Sequence, residues 1–196
     1  MKRAKKMPLA FRLGIVLILC SLALLLAYRF QVYTAKNQRV ETVSRITSLL
    51  PPPSQGIPGL YSDPEMPAIS LDGKDYLGLL EVPAYGVTLP VGSQWDTGKL
   101  IAFPCRFWGS AYDSTLVIGG SDEKGLLDFC STIDLGAYVF VTDMTGARYT
   151  YTVSRVDRAK HAQTDWLLSD QWDLTLFAQS SLSMEYIALR CSLSMQ

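Results

Sequence analysis

The chain has 196 residues, 48% of them hydrophobic, with 18 Lys and Arg balancing 18 Asp and Glu; that is enough apolar material for one core of ordinary size plus accessory segments. The balance is uneven: Lys2, Arg3, Lys5, Lys6, Arg12 and Arg29 meet no acidic residue before Phe30, so twelve of the 18 basic residues face all 18 acidic ones beyond it. An acidic outer part excludes nucleic acid as a partner, because neutralising phosphate needs the opposite sign.

From Leu13 to Tyr28 the chain holds nothing more polar than Cys20 and Ser21, and Phe11 and Phe30 extend the apolar length to about the twenty residues a bilayer requires. No amphipathic face exists to dock this run on a polar surface. No small-x-small cleavage pair follows it, since Ala27 has Leu25 two before it and Ala35 has Tyr33, so an uncleaved signal anchor is expected. The lysine cluster at the start then stays cytoplasmic, and the C-terminal bulk lies outside a single-pass cell membrane.

Between Gln31 and Leu50, Val32, Val40, Val43, Ile46 and Leu50 recur at roughly helical spacing, predicting a juxtamembrane helix. Six of the ten prolines then fall in Pro51–Ser70, which predicts an extended, semi-rigid spacer. The expected organisation is 1–30 basic tail and membrane anchor, 31–68 juxtamembrane helix and Pro-rich spacer, and 69–196 extracellular domain.

Beyond Ile69 the pattern changes to short apolar runs separated by turn residues: YLGLLEV, GVTLPV, KLIAF, TLVIGG, AYVFVTD, RYTYTVSRV, DLTLFAQ and EYIALRCSL. Eight such runs predict an all-β domain, a closed eight-stranded barrel of modest size. DMTG reads as a tight hairpin turn. LLDFCSTIDLG is the one short helical insert, with Leu127, Cys130 and Ile133 three apart on one face and Gly136 ending it. Cys130 therefore reads as a small buried hydrophobe. Cys105, Cys130 and Cys191 show no CxxC and no paired spacing, so no zinc site, disulfide framework or cofactor is expected. Cys105, beside Arg106, reads as a free surface thiol on a loop.

A signal anchor, a Pro-rich spacer and an eight-stranded β domain with a helix after the fourth strand resemble the sortases, cell-surface cysteine transpeptidases of Gram-positive bacteria. Six stretches between about Leu77 and Leu193 carry the likeness. GLLEVPAYGVTLPV is similar to the opening strand pair, and STLVIGGS to a Val-Ile-Ala-Gly-His strand. LLDFCSTIDLGAYVFVTD resembles the helix and Gly-Asp strand that follow, with Ala137 where aspartate is usual. RYTYTV is similar to Tyr-x-Tyr-x-Val, and LTLFAQSS to Leu-Thr-Leu-x-Thr-Cys. EYIALRC resembles the closing strand, which normally begins with arginine.

The resemblance implies three catalytic positions, and in this chain they read Ser121 for histidine, Gln179 for cysteine and Glu185 for arginine. Sortase-type transfer needs a thiolate to attack the threonine carbonyl of an LPXTG-like signal, an imidazole to protonate the leaving amine, and a cation to hold the oxyanion. A carboxamide forms no acyl intermediate. The implied reading is a pseudo-sortase whose rim residues Gly120, Ser121, Ala178, Gln179 and Glu185 bind an LPXTG-like peptide or a surface protein. Two alternatives stand beside it: an active enzyme with an unorthodox nucleophile (Ser121, Cys105, or Cys191 in a shifted register), and a structural module of a membrane assembly. Cys191 fits poorly as nucleophile because five residues after it cannot supply another strand. His161, the only histidine, reads as a solvated loop residue between the sixth and seventh strands.

Overall fold

The computed structural model describes residues 9–61, 63, 65–98, 100, 102–160, 164–168, 171–180 and 185–194. Helix α1 spans Leu9–Leu49 and ends where Pro51, Pro52 and Pro53 deny the next turn its backbone donors. Within it lies a segment long and apolar enough to cross a membrane, none of it buried in the protein; Leu17, Leu24 and Leu26 are among its exposed side chains. The chain divides into two compact units, Met1–Asn37 and Gln38–Gln196.

In the second unit, the strands are β1 Ser54–Gln55, β2 Ile69–Leu71, β3 Lys74–Val82, β4 Val87–Gly92, β5 Cys105–Trp108, β6 Leu116–Ser121, β7 Tyr138–Asp143, β8 Ala147–Ala159, β9 Leu174–Gln179 and β10 Tyr186–Leu193, with helix α2 at Thr164–Leu167. Eight of them close a ring, β8-β10-β9-β6-β5-β4-β3, which β7 completes by pairing with both β3 and β8. β1 and β2 are short additions on β8 and β3. Closure removes the sheet edges that would otherwise expose unpaired backbone groups.

Alternation sets the barrel's inside. Along β8, Ala147, Tyr149, Tyr151 and Val153 are buried while the residues between them are half-exposed, the period of two that a strand imposes. They pack with Leu80, Leu89, Ile118, Leu176 and Leu189 in one core. Asp143 caps it at the β7–β8 turn: fully buried, it accepts bonds from the Tyr112 hydroxyl at 2.8 Å, the Thr145 amide at 2.8 Å and hydroxyl at 2.6 Å, and the Ala147 amide at 3.0 Å. That turn is the expected DMTG hairpin, closed by the Gly146 amide on the Asp143 carbonyl at 3.1 Å.

A second cluster lies outside the barrel wall, where Ile46 of α1, with Val43 and Leu50 beside it, meets Tyr76, Leu79, Phe103 and Cys105. This cluster explains the expectation that failed for KLIAF. Leu100, Ala102 and Phe103 are apolar because they pack under α1, and the third strand begins beyond Pro104, at Cys105. Cys105 is consequently a buried core residue, not a surface thiol. The helical insert after β6 is a single 3-10 turn, Asp128–Ser131, with Cys130 buried as its spacing suggests.

The Pro-rich stretch runs along the barrel: Ser54–Gln55 pair in parallel with Ala147–Arg148, Tyr61 stacks on Tyr112 at 4.4 Å between ring centroids, and Met66 is buried. An extended chain without its own hydrogen bonds is what a strand can pair with, so prolines that forbid a helix leave this docking open.

Gly78 sits where β3 bends between β4 and β7, at φ 148°, and a Cβ there would lie 1.9 Å from the Thr142 carbonyl oxygen. Gly78→Ala is expected to destabilise the barrel by on the order of 3 kcal/mol, read as a lowered urea midpoint; an unchanged midpoint would mean that β3 and β7 do not close the ring here.

Candidate functional site

β6 and β9 run parallel with Gly119 opposite Phe177, Gly120 opposite Ala178 and Ser121 opposite Gln179. β10 pairs antiparallel on the other side of β9, placing Tyr186 opposite Gln179, and the Ser180 amide donates to the Glu185 carbonyl at 2.8 Å. Ser121, Gln179 and Glu185 thus meet at one barrel rim. The Asp122 amide donates to the Gln179 carbonyl at 3.4 Å and the Leu127 amide to the Ser121 carbonyl at 3.2 Å, so the chain leaving β6 folds back over the junction. The Ser121 hydroxyl oxygen accepts the Glu123 amide at 3.2 Å, a local turn bond of the kind serine makes at strand ends.

The loop after Ser121 is fastened from outside. Arg39, a buried residue of α1, donates from Nε to the Ala102 carbonyl at 2.8 Å and from Nη1 to the Gly125 carbonyl. Burial lowers its pKa, and Asp128 opposes that shift by attraction.

The glycines before Ser121 serve close packing. A Cβ on Gly119 would lie 2.2 Å from Cζ of Phe177 and 2.7 Å from Trp95, and one on Gly120 would lie 3.0 Å from Leu127. The outer faces of β6, β9 and β10 are covered by a third cluster of Val117, Leu167, Phe177 and Ala188, with Trp95, Phe107 and Trp166 packed against it. The rings of Trp95, Phe107 and Phe177 lie 5.2 to 5.5 Å apart. Arg190, 2% exposed, ties α2 to this face. It donates to Asp157 at 3.2 Å, to the Thr175 hydroxyl at 3.1 Å, to the Leu167 carbonyl at 3.3 Å and to the Trp166 carbonyl, and lies 4.9 Å from the Trp166 ring centroid.

Sequence reasoning passed over Arg190 and Trp95. The signal for Arg190 was available: one cation inside an otherwise buried strand must find a carboxylate and hydrogen-bond acceptors.

The junction therefore offers a hydroxyl, a carboxamide and a carboxylate. Cys105, Cys130 and Cys191 are buried and form no disulfide with one another. Desolvation pushes the Cys130 thiol well above its usual range, and pushes Cys191 up to about 12 despite the neighbouring Arg190. Neutral buried thiols are poor nucleophiles. His161 lies outside the described residues. No group of three or more His, Cys, Asp or Glu suited to a metal ion occurs among the described residues.

No protein-family model matches the chain, and no curated protein matches it. Among solved structures, the chain is similar to Clostridium perfringens sortase C with its C-terminal cell wall sorting motif, at 17% identity and TM-score 0.55 over 63% of this chain and 72% of that one. It is similar also to a lid mutant of Corynebacterium diphtheriae sortase A, at 18% identity and TM-score 0.55 over 63% and 72%. Listeria monocytogenes sortase A matches at 16% identity and TM-score 0.51 over 61% of this chain and 88% of its own. The domain has the sortase-like fold, a closed eight-stranded barrel beyond a long apolar N-terminal helix.

The buried thiols carry a pH signature. Cys191 titrates near 9 when unfolded and at about 12 when folded, so folding favours its protonated form. Its contribution to stability is fully present below pH 9 and is lost as pH climbs from there towards 12. The urea midpoint should fall over that range, with a shallower fall in Cys191→Ala; identical slopes would contradict the burial of this thiol.

Proposed function

We propose that the protein is a membrane-anchored, catalytically silent member of the sortase-like fold, which holds a peptide or surface protein at the rim formed by Gly120, Ser121, Ala178, Gln179 and Glu185 and does not cut it. The anchor is the apolar part of α1, with the lysine-rich start cytoplasmic and residues 69–196 outside the cell. One observation carries the reading: the parallel register that sets Ser121 against Gln179 supplies no thiol or imidazole at the strand ends where sortase chemistry would require them. The sorting motif named for the Clostridium perfringens structure gives the class of peptide to try first. Extended peptides bind beside strands through backbone bonds, with pockets choosing the side chains.

A second reading, a structural module with no ligand at this rim, is favoured by the aromatic cluster already filling the adjoining outer face. An active enzyme using Cys105 or Cys191 is disfavoured by the complete burial of both. Ser121 is disfavoured as nucleophile because its hydroxyl oxygen accepts the backbone amide of Glu123, a bond that draws electron density from the oxygen rather than activating it.

The test is a mass-spectrometric assay of the full chain with an LPXTG-type peptide. Neither hydrolysis nor acyl adduct is expected at any pH. Gln179→Cys alone should give at most trace adduct, since a thiol without a cationic neighbour keeps a pKa of about 8.5. Ser121→His, Gln179→Cys and Glu185→Arg together should give a detectable acyl-enzyme if peptide is bound there. Cleavage by the unaltered chain, abolished by replacing one cysteine or serine, would overturn the proposal. Peptide binding without cleavage separates the holding function from the structural module.

A further inference from the structure

A cavity of about 400 Å³ opens on the outside of the barrel beside β5, with none of Ser121, Gln179 and Glu185 in its lining; Trp95, Phe107 and Trp108 line it together with Gln94, Arg106 and Glu65. Trp108 is 59% exposed, so more than half of its surface is open to a ligand at the cavity it lines. The frame around it is rigid. Gly109, at φ 67°, leaves no room for a Cβ, which would lie 2.2 Å from the Thr115 carbonyl oxygen. The Ser110 amide donates to the Thr115 hydroxyl at 3.3 Å, and that hydroxyl donates to Asp113 at 2.5 Å. Trp95 is held edge-on by Phe107 at 5.2 Å and packed on Phe177 at 5.4 Å.

The charge of the cavity selects among ligand classes. Its one cation, Arg106 among the lining residues, is already engaged, with Nε on the Ser93 carbonyl at 3.0 Å and Nη2 on Glu65 at 3.0 Å. Glu65 and Asp113, both lining the cavity, leave it net negative by one. The whole chain beyond Phe30 is acidic as well, with twelve basic against 18 acidic residues. A phosphate or carboxylate ligand would meet repulsion locally and at long range. Aromatic faces in a negative surround attract the opposite kind of ligand, an organic cation bound through the quadrupoles of the rings.

We propose that this cavity binds an organic ammonium group, with Trp108 and Trp95 as its aromatic walls and the net negative charge that Glu65 and Asp113 leave around Arg106 as its counter-charge. The group belongs either to a small quaternary amine or to a basic side chain of a partner protein, and both present the same chemistry to the indoles. This inference is independent of the reading of the Ser121–Gln179 rim.

Isothermal titration of the full chain in non-ionic polyoxyethylene micelles, at constant ionic strength, tests it with tetramethylammonium and with Nα-acetyl-lysine methylamide. Saturable binding with a dissociation constant on the order of 1 mM is expected for at least one of them. Trp108→Ala should abolish it, Trp108→Phe should retain it weakened, and Glu65→Gln should weaken it by about fivefold. Both positions are exposed, so these variants should keep the wild-type urea midpoint. Tighter tetramethylammonium assigns a quaternary head group, and tighter lysine amide a basic side chain. No saturable heat from either cation, equal binding by Trp108→Ala, or equal binding of glucose would overturn the proposal.

Discussion

The parallel pairing of β6 with β9 is the constraint on which the rest of the barrel depends. The two strands come from distant parts of the chain, Leu116–Ser121 and Leu174–Gln179, and a parallel pair needs a long crossover rather than a hairpin. Their six-residue register, from Leu116 opposite Leu174 to Ser121 opposite Gln179, simultaneously buries leucines in the barrel and brings a hydroxyl and a carboxamide together at its rim. A slip of one residue would turn every inward side chain outward. The rim geometry is therefore as well determined as the core.

The crossover needs fastening, and Arg190 supplies it. Its guanidinium is out of water yet bonded to a carboxylate, a hydroxyl and two carbonyls of α2, which offsets a desolvation cost of several kcal/mol. Asp157 is held in turn by Arg155 at 2.6 Å. The consequence is a second apolar layer outside the wall, in which Phe177 lies over Gly119 and Trp95 packs on Phe177. The outer face of β9 is thereby filled by the protein's own rings.

Much of this was legible in the residues. Alternation in RYTYTV announces which tyrosines enter the core, and DMTG announces the turn that Asp143 secures. The likeness to sortases followed from the order of such stretches, and the solved structures show the same fold at identities below 20%. KLIAF was not legible as a packing segment, because periodicity records burial and cannot distinguish burial under a helix from burial in a sheet. Nor could the proline-rich segment reveal that it pairs with β8: backbone pairing by Ser54 and Gln55 leaves no hydrophobic trace. The candidate rim was readable as positions, since Ser121 and Gln179 each follow an apolar strand. Arg39, clamping the loop beyond Ser121 from α1, was hidden by its distance along the chain.

The central claim is that β6 and β9 pair in the register that sets Ser121 beside Gln179. Disulfide trapping measures it directly. In the full chain, Ser121→Cys combined with Gln179→Cys should cross-link under mild oxidation, with the linked peptide pair identified by mass after digestion, because opposed strand positions fall within the Cα separation of about 4.4–6.8 Å that a disulfide tolerates. Leu116→Cys with Gln179→Cys, at opposite ends of the same pair, should not. Efficient linkage in the second variant and none in the first would contradict the register, and with it the assignment of this rim.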